Sequence, residues 1–204
     1  SLLSYLDCCE NAYLEYAKRV DGCDYRTTFD YLAFHAPFGG MVKGAHRNIM
    51  GKVTDIKRKD IEEDFQRRVM PGLDYCQRVA NIMGATALLS LVSTIANGNF
   101  DEPRRIGVFS YGSGCCSEFF SGVVNKEGQE RLKKFNIKEK LDSRYEMTME
   151  EYEQLLINSN AVKFGTRNTE LDTDFIPKAR KALGKETLFL KAINEFHREY
   201  EWIS

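Results

Sequence analysis

The sequence predicts an α/β fold built in layers, with helices and strands alternating along the chain. The apolar pattern switches repeatedly between the three-to-four-residue spacing of helices and the aromatic and β-branched runs of strands. Hydrophobic residues make up 43% of the 204 residues, which is enough for a sizeable core. We therefore expect a compact α/β domain or one half of a larger α/β enzyme.

The first third of the chain predicts a helix, a strand, a glycine turn and a second helix. An amphipathic pattern predicts the first helix over Leu2–Val20, and the aromatic run at 28–35 predicts a buried strand. Phe38-Gly39-Gly40 is typical of a turn, and apolar residues at helical spacing predict a helix over 41–50. The strand is expected to end at Ala36-Pro37.

The middle of the chain predicts three helices and a hairpin. A charged surface helix is expected over 60–68, and Pro71-Gly72 is expected to interrupt before a helix over 73–82. The run 84–96 is apolar nearly all round, which predicts a helix buried on most sides. Two strands, Arg105–Tyr111 and a partner ending at Val124, are joined by a glycine turn and predict a hairpin.

The last third changes in composition. Residues from about 126 to 176 are charged and polar with weak helical stretches, including one that Thr148 caps, and predict a helical surface insertion. The chain closes over 187–203 with a strand-like pattern. We assign residues 1–204 to one domain that carries this insertion.

Charge and hydropathy exclude several classes of protein. With 29 basic and 30 acidic side chains, the net charge of −1 gives no field that attracts nucleic acid or an anionic membrane. No apolar stretch approaches the roughly 20 residues that span a bilayer, and the beginning of the sequence lacks a signal-peptide layout. We expect a cytoplasmic protein with no nucleic-acid or membrane partner.

The six cysteines do not predict a metal or disulfide site. Two adjacent pairs, Cys8-Cys9 and Cys115-Cys116, do not have the C-x-x-C spacing of zinc sites, so no metal is expected. Nothing near Cys115-Cys116 in the sequence lowers a thiol pKa. Buried free thiols are the expectation.

His35 is the strongest candidate for chemistry, because it ends an apolar strand just before Ala-Pro and a double glycine. Histidine exchanges protons near neutral pH and can serve a developing alkoxide. The alternative is a hydrogen-bonded structural histidine, which the residues alone favour.

Further polar residues are weaker candidates. In Tyr111-Gly112-Ser113-Gly114, the glycines allow close approach of backbone N–H groups and Ser113 can donate to a carbonyl oxygen, although a plain hairpin turn explains the motif equally. Asn81 precedes the apolar helix and either caps it or enters a site. Lys43 and Arg47, one turn apart, either meet a phosphate or form a solvated face.

Taken together, the segments around residues 34–47, Asn81 and 107–114 resemble, in this order and spacing, the C-terminal half of 3-hydroxy-3-methylglutaryl (HMG) CoA synthases. The continuation Phe-Gly-Gly-Met-Val-Lys-Gly-Ala-His-Arg after His35-Ala36-Pro37 is similar to the branch found in polyketide biosynthesis, the curacin-type enzymes. The resemblance implies a thiolase-like α/β/α/β/α fold of two similar halves, typically in a homodimer.

The resemblance also implies a function. An enzyme-bound acetyl group would condense, in an aldol-type reaction, with the β-ketone of an acetoacetyl-type thioester on an acyl carrier protein, giving a β-branch. Donor and acceptor carrier proteins would be the partners. No bound cofactor is expected, because phosphopantetheine or coenzyme A thioesters are the substrates.

By motif match, the resemblance implies a role for each candidate residue. His35 would be the catalytic histidine, Asn81 and Ser113 would contact the acceptor acyl group, and Tyr111 would line its cavity. Lys43 and Arg47 would contact the carrier protein or its phosphopantetheine phosphate.

The sequence departs from the family pattern in two ways. Met83 stands where many relatives have a tyrosine, so the resemblance implies a different lining of the acyl pocket in this chain. The nucleophilic cysteine and the basic glutamate belong to the N-terminal half, which is therefore an expected partner, and this chain alone should be inactive. Two alternatives stay open: a synthase of primary metabolism that uses coenzyme A, and a non-catalytic subunit that docks carrier proteins.

Overall fold

The computed structural model describes residues 2–53, 55–112, 114–174, 176–183 and 187–202. The chain forms two units, Ser1–Ile137 and Lys138–Ser204. The described elements up to residue 133 are α1 (Leu2–Arg19), β1 (Tyr31–Phe34), α2 (Gly39–Val53), α3 (Arg58–Arg68), α4 (Met70–Val79), α5 (Ala85–Asn97), β2 (Arg104–Gly112), β3 (Cys116–Val124) and α6 (Lys126–Lys133). The chain continues with α7 (Ile137–Asp142), α8 (Met149–Asn160), β4 (Thr169–Glu170), α9 (Pro177–Leu183), β5 (Leu188–Asn194) and β6 (His197–Trp202).

The sheet of the first unit has the order β1-β2-β3. Strand β1 is parallel to β2, with Phe34 opposite Phe109, and β2 is antiparallel to β3. The predicted hairpin is therefore confirmed. The strand predicted at 28–35 is shorter, because Asp24 accepts hydrogen bonds from the backbone N–H groups of Arg26 and Thr27 and holds the preceding residues in a turn.

Helices cover both faces of this sheet, which makes the first unit a layered α/β structure. On one face, α1 and α2 pack over the strands in a core that is rich in aromatic rings. Tyr5, Tyr13 and Phe119 are among its buried members. On the other face, α5 packs against β1 and β2 next to a smaller cluster that contains Phe100 and Val108.

Helix α4 differs from the sequence prediction, whereas the burial of α5 agrees with it. Pro71 does not interrupt a helix but lies in the first turn of α4, where a missing N–H costs nothing, and α4 ends at Val79. The face of α5 that is buried carries Ala87 and four hydroxyl residues, whereas Leu88 is 61% exposed. Only Ala85, Leu88 and Asn97 of this helix are exposed, so the prediction of a helix buried on most sides is confirmed, although its most buried residues are small hydroxyl residues and not its leucines.

The close contact between α4 and α5 explains why small side chains occupy the buried face. A Cβ atom at Gly72 would lie 2.7 Å from the Thr94 hydroxyl oxygen and 2.8 Å from that of Ser90. These hydroxyls also serve buried backbone groups: the N–H of Phe34 donates to Ser90, and the N–H of Tyr75 donates to Ser93. Larger apolar residues would separate the helices and leave these N–H groups unsatisfied.

The second unit is described by itself. Its helix α8 begins with a capping box, in which the Thr148 hydroxyl accepts from the N–H of Glu151 and the Glu151 carboxylate accepts from the N–H of Thr148. Its strands pair in the order β4-β5-β6, all antiparallel, so the closing strand pattern is confirmed. The insertion at about 126–176 stays a prediction.

All six cysteines are free thiols. Cys9 and Cys76 are buried as expected, but Cys115 and Cys116 are exposed, so the expectation of buried thiols is wrong for this pair. Both residues follow the tip of the β2–β3 hairpin, where Cys115 has a left-handed backbone (φ 56°), and hairpin tips lie at the surface.

Among the described helices, none combines the length and the apolar character that a membrane span requires.

Candidate active site at His35

His35 lies directly after β1, at the edge where the carboxyl ends of the parallel strands β1 and β2 meet. Its backbone N–H donates to the carbonyl of Phe109 at 2.7 Å and so continues the pairing of the two strands. Its backbone carbonyl accepts a 2.6 Å hydrogen bond from the hydroxyl of Tyr5, which α1 brings into the core. The main chain at His35 is thus fixed from both sides.

The imidazole ring is held by a neighbour on α5. Nδ1 of His35 lies 3.2 Å from the hydroxyl oxygen of Thr86, and the centroid of the ring lies 5.9 Å from that of Tyr111. His35 is only 6% exposed, and burial lowers the pKa of its ring below the usual value. The ring is therefore neutral at neutral pH, as a group that accepts a proton must be.

Asn81 lies in the short connection between α4 and α5, which has an unusual backbone. Ala80 (φ 62°, ψ −158°) and Met83 (φ 56°) on either side of it both have positive φ values. The side-chain oxygen of Asn81 accepts from the N–H of Met83 at 2.9 Å, and Asn81 itself is exposed. Asn81 is therefore not part of the predicted helix over 73–82.

This connection is linked to His35 by hydrogen bonds. The carbonyl oxygen of Met83 accepts from the Thr86 hydroxyl at 2.9 Å, and the same hydroxyl contacts the His35 ring. The sequence leaves two roles open for Asn81, a helix cap or a group that enters a site. The structure shows that the Asn81 side chain bonds within the connection. Thr86 links this connection to His35, because its hydroxyl contacts both Met83 and the His35 ring.

Tyr111 lies near the end of β2. It is half-buried, and its ring packs edge to face against Tyr5 at a centroid distance of 5.4 Å and lies 5.9 Å from the His35 ring. Burial raises the pKa of its hydroxyl, so the group stays protonated. Ser113 lies outside the described residues.

An apolar cavity of about 240 Å³ is lined by Ala36, the residue that follows His35, and by the turn after it, whereas His35 itself is not among the lining residues. It lies between the turn after β1 and the end of α4. Its lining residues are Ala36, Pro37, Phe38, Gly39, Leu73, Cys76, Gln77 and Ala80. An apolar cavity of this kind suits an acyl or pantetheine chain better than a charged ligand.

Cys76 lines this cavity, but it does not have the character of a nucleophile. Burial raises the pKa of its thiol to about 11, and its sulfur donates to the carbonyl of Gly72. A thiol that stays protonated at neutral pH is a poor nucleophile. The described residues also contain no group of three or more side chains that could hold a metal ion.

Lys43 and Arg47 lie on α2 and are paired with a carboxylate. Lys43 Nζ lies 2.5 Å from one carboxylate oxygen of Glu62, and Arg47 Nη2 lies 2.7 Å from the other. These bonds hold the pKa of Glu62 at about 2. The cluster of two cations and one anion has a net charge of +1, and none of its hydrogen bonds reaches His35.

Two residues of the site were missed by the sequence interpretation, Tyr5 and Thr86. Each bonds to His35 from far along the chain, 30 and 51 residues away. Thr86 gave a signal in retrospect, since a hydroxyl residue at the start of an otherwise apolar helix needs a polar partner when buried. Tyr5 gave none, because tyrosine is common in apolar helical patterns.

The chain was compared with known proteins. It matches the family described as hydroxymethylglutaryl-coenzyme A synthase, C terminal, over residues 53–202. This fold and this site therefore define a protein of the HMG synthase family, to which the chain belongs.

Among individual relatives, the chain is 60% identical to the polyketide biosynthesis 3-hydroxy-3-methylglutaryl-ACP synthase PksG of Bacillus subtilis, over 100% of this chain and 49% of PksG. The crystal structure of the curacin biosynthetic pathway HMG synthase in complex with apo donor-ACP matches with a TM-score of 0.96 and 64% identity, over 99% of this chain and 50% of that one. The hydroxymethylglutaryl-CoA synthase of Enterococcus faecalis is 32% identical over 74% of this chain and 38% of its own length.

The chain thus spans about half the length of PksG and of the curacin pathway enzyme. The structural match confirms the predicted fold class, a thiolase-like α/β fold of which this chain is the C-terminal half.

Proposed function

We propose that this chain forms part of an HMG synthase that condenses an enzyme-bound acetyl group with the β-ketone of a thioester on an acyl carrier protein. The observation that carries the proposal is the state of His35. It is a neutral, buried imidazole, anchored at Nδ1, the next residue along the chain lines an apolar cavity, and no described residue bonds its Nε2. Such a ring is suited to proton exchange with a reacting oxygen.

His35 would act on the oxygen of the acceptor ketone. When the carbanion of the acetyl group adds to the ketone carbon, the carbonyl oxygen becomes an alkoxide and requires a proton. The imidazole can take a proton from solvent on Nε2, donate it to the alkoxide and so return to the neutral form, while the proton that is removed from the acetyl methyl group returns to solvent. Asn81 and Ser113 would contact the acceptor acyl group, and Tyr111 would bound the cavity.

The cysteine that carries the acetyl group and the glutamate that forms the carbanion would come from the N-terminal half. We propose that this half also covers the open side of α5, where Leu88 is 61% exposed. The complete enzyme would be a cytoplasmic homodimer. Its substrates would be phosphopantetheine or coenzyme A thioesters, with no bound cofactor.

Sequence similarity supports a carrier protein over coenzyme A as the acyl carrier. The chain is 60% identical to a relative named as an ACP synthase and 32% identical to one named as a CoA synthase. The curacin pathway enzyme was crystallised with its donor ACP. We therefore propose donor and acceptor carrier proteins as partners and β-branching as the reaction.

The test is intact-mass spectrometry of an acceptor carrier protein that bears an acetoacetyl group. It is incubated with acetyl-loaded donor carrier protein and with this chain completed by an N-terminal half. The expected result is a gain equal to the mass of one acetic acid molecule, which is the acetyl group plus the water that releases it from the enzyme. His35→Ala should abolish the gain.

His197→Ala is the matched control, because it removes an exposed imidazole from β6. It should leave the gain unchanged. A gain that requires acetyl-CoA instead of the acetyl carrier protein would assign the chain to a synthase of primary metabolism. No gain with either donor would leave the role of a non-catalytic docking subunit.

We also propose that Lys43 and Arg47 contact the carrier protein or the phosphate of its phosphopantetheine arm. Both are partly exposed, and with Glu62 they leave one positive charge on this surface. A carrier protein with an acidic surface would be attracted to it, in a manner that weakens with added salt.

Three variants test this contact by carrier-protein affinity. Lys43→Ala with Arg47→Ala should weaken binding several-fold, and Glu62→Gln should strengthen it, because the amide no longer neutralises the cations. Lys52→Ala is the control. It removes a cation that lies further along α2 and pairs with Glu10 of α1. If Glu62→Gln weakens binding as much as the double substitution, the cluster only supports the fold.

A further inference from the structure

The hydroxyl oxygen of Thr86 has three polar neighbours, and their chemistry fixes where its proton lies. The backbone N–H of Ala36 lies 3.1 Å away, the carbonyl oxygen of Met83 2.9 Å and His35 Nδ1 3.2 Å. The Ala36 N–H can only donate and the Met83 carbonyl can only accept. A hydroxyl has one proton to give and two lone pairs with which to accept.

Only one arrangement makes all three contacts hydrogen bonds, since the Met83 carbonyl oxygen accepts the Thr86 backbone N–H at 3.0 Å with one lone pair and has a second lone pair for the hydroxyl. The Thr86 proton goes to the Met83 carbonyl, which is the nearest of the three neighbours, and one lone pair accepts from Ala36. The remaining lone pair faces His35, so Nδ1 of the ring must carry a proton for this contact to be a hydrogen bond. In the neutral ring, the lone pair then lies on Nε2.

We propose that Thr86 is a positioning residue that selects the Nδ1–H tautomer of His35 and so leaves Nε2 as the nitrogen that exchanges protons with the substrate. This inference rests on the proposed role of His35. The hydroxyl acts twice, because it holds both the ring and the backbone of the next residue, Ala36. Rotation of the ring or exchange of its two nitrogens would break a bond that no other described group replaces.

The arrangement also stabilises the protonated ring. When Nε2 gains a proton, Nδ1 remains a donor and the bond to Thr86 persists with a stronger, charged donor. The opposite tautomer, with Nδ1 as acceptor, would require Thr86 to withdraw its proton from Met83 at every turnover. Thr86 therefore lets the ring change charge without rearrangement of its surroundings.

The first measurement is the tautomer itself, by ¹H–¹⁵N correlation spectra of ring nitrogens in the completed enzyme. The His35 signals are assigned by their loss in His35→Asn. Nδ1 is expected to carry the proton in the neutral form. In Thr86→Val, the Nδ1–H population and the His35 pKa should both fall, and Thr86→Ser should restore both. A neutral His35 with its proton on Nε2 in the unsubstituted enzyme would overturn the proposal.

The second measurement is the pH profile of turnover. Thr86→Val should lower kcat about tenfold, which corresponds to one hydrogen bond of about 1.4 kcal/mol, and move the limb of the profile that reports the pKa of His35 to lower pH, while Thr86→Ser stays close to the unsubstituted enzyme. The matched control is Ser90→Ala, which removes a buried hydroxyl one turn along α5 that bonds Phe34 and does not touch the ring. Equal losses in the Ser90 and Thr86→Val variants, with no change in the profile, would contradict a positioning role.

The two measurements separate this proposal from the proposed function. If the ring has the expected tautomer but His35→Ala remains fully active, the proposed role of His35 fails, whereas the assignment of the Thr86 bond stands. If His35→Ala is inactive but Thr86→Val leaves both tautomer and profile unchanged, Thr86 has no positioning role. Thr86→Ala provides a second variant should the valine methyl disturb the packing around Ala36.

Discussion

At His35 the main chain and the side chain are held by different parts of the protein. Tyr5 and Phe109 fix the backbone, and Thr86 fixes the ring. The sequence predicted His35 as a candidate because a polar residue at the end of a buried strand is visible in any sequence. Its partners were not predictable, since each comes from another element and only the folded chain brings them together.

The backbone at Ala80 is the most strained feature near this site. Its φ of 62° and ψ of −158° fall in a region that only glycine enters freely, at a cost of about 1–3 kcal/mol for another residue. The strain holds Asn81 and Met83 in the connection that leads to Thr86. A sequence gives no sign of it, because alanine predicts helix at this position.

Replacement of Ala80 by glycine should therefore raise the free energy of unfolding by about 1 kcal/mol, after the greater entropy of unfolded glycine is subtracted. Urea denaturation of the variant measures this change. Ala85→Gly, at the first residue of α5, is the control and should lower stability instead. A loss of stability in both variants would show that Ala80 is not strained.

At the scale of elements, a buried ionic network joins α3 to the segment that precedes β1. Arg68 is fully buried, and its guanidinium forms hydrogen bonds to the Asp64 carboxylate and to the carbonyls of Tyr25 and Phe29. Asp64 also lies 3.0 Å from Nε2 of buried His46 on α2. Arg68 and His46 hold the pKa of Asp64 well below its usual range despite its burial.

Removal of one partner of such a network should be strongly destabilising. Arg68→Met should lower the free energy of unfolding by about 3–5 kcal/mol, because the Asp64 carboxylate would remain buried without its main counter-charge. Arg67→Met is a matched control, since Arg67 bonds the same carboxylate but its side chain is 70% exposed. Its effect should stay within about 1 kcal/mol. If urea titrations show that both variants lower the free energy of unfolding equally, the distinction between the buried and the exposed arginine is wrong.

Most elements were predictable from local patterns, whereas their limits and environments were not. The hairpin β2–β3 and the helix α1 follow from apolar periodicity and a glycine turn. The start of α4 was displaced because Pro71 was interpreted as an interruption, although proline is compatible with a first turn. The burial of α5 on most sides was predictable from its composition, but composition does not reveal that its hydroxyl residues form the face that meets α4.

At the scale of the whole molecule, stability should depend on pH through two buried histidines. Burial lowers the pKa of both His35 and His46, so the folded protein binds fewer protons than the unfolded chain near pH 6. Their contribution to stability is complete when the pH is above the pKa of histidine in the unfolded chain, about 6.5. It is lost as the pH falls below this value toward the lower pKa values of the folded protein.

The free energy of unfolding should consequently decrease between pH 7 and pH 5, by up to about 1.4 kcal/mol per pH unit for each histidine. The measurement is the urea midpoint across this range. His46→Gln should make the dependence shallower, and His197→Ala should leave it unchanged because His197 is exposed. If the free energy of unfolding of His46→Gln depends on pH in the same way as that of the unsubstituted protein, His46 does not contribute to this dependence.

The side of α5 that exposes Leu88 also concerns the whole molecule, because we propose that the N-terminal half covers it. If the N-terminal half covers it, Leu88→Ser should weaken the association of separately produced halves and reduce the aggregation of this chain alone. Met149→Ser, at the start of α8, is a control that removes another apolar side chain exposed to a similar extent, 67% against 61%. Association can be followed by analytical ultracentrifugation. An unaltered association in Leu88→Ser would show that this face is not the contact.

The three anchors of His35 also set an order of events during synthesis. Tyr5 leaves the ribosome before His35, Thr86 follows 51 residues after it, and Phe109 follows later still. At about 5–20 residues per second, the nascent chain carries an unanchored histidine for several seconds. Ribosome-bound intermediates that end before β2 should therefore show a freely rotating, solvent-accessible imidazole, and the final environment should form only once the second strand of the parallel pair has emerged.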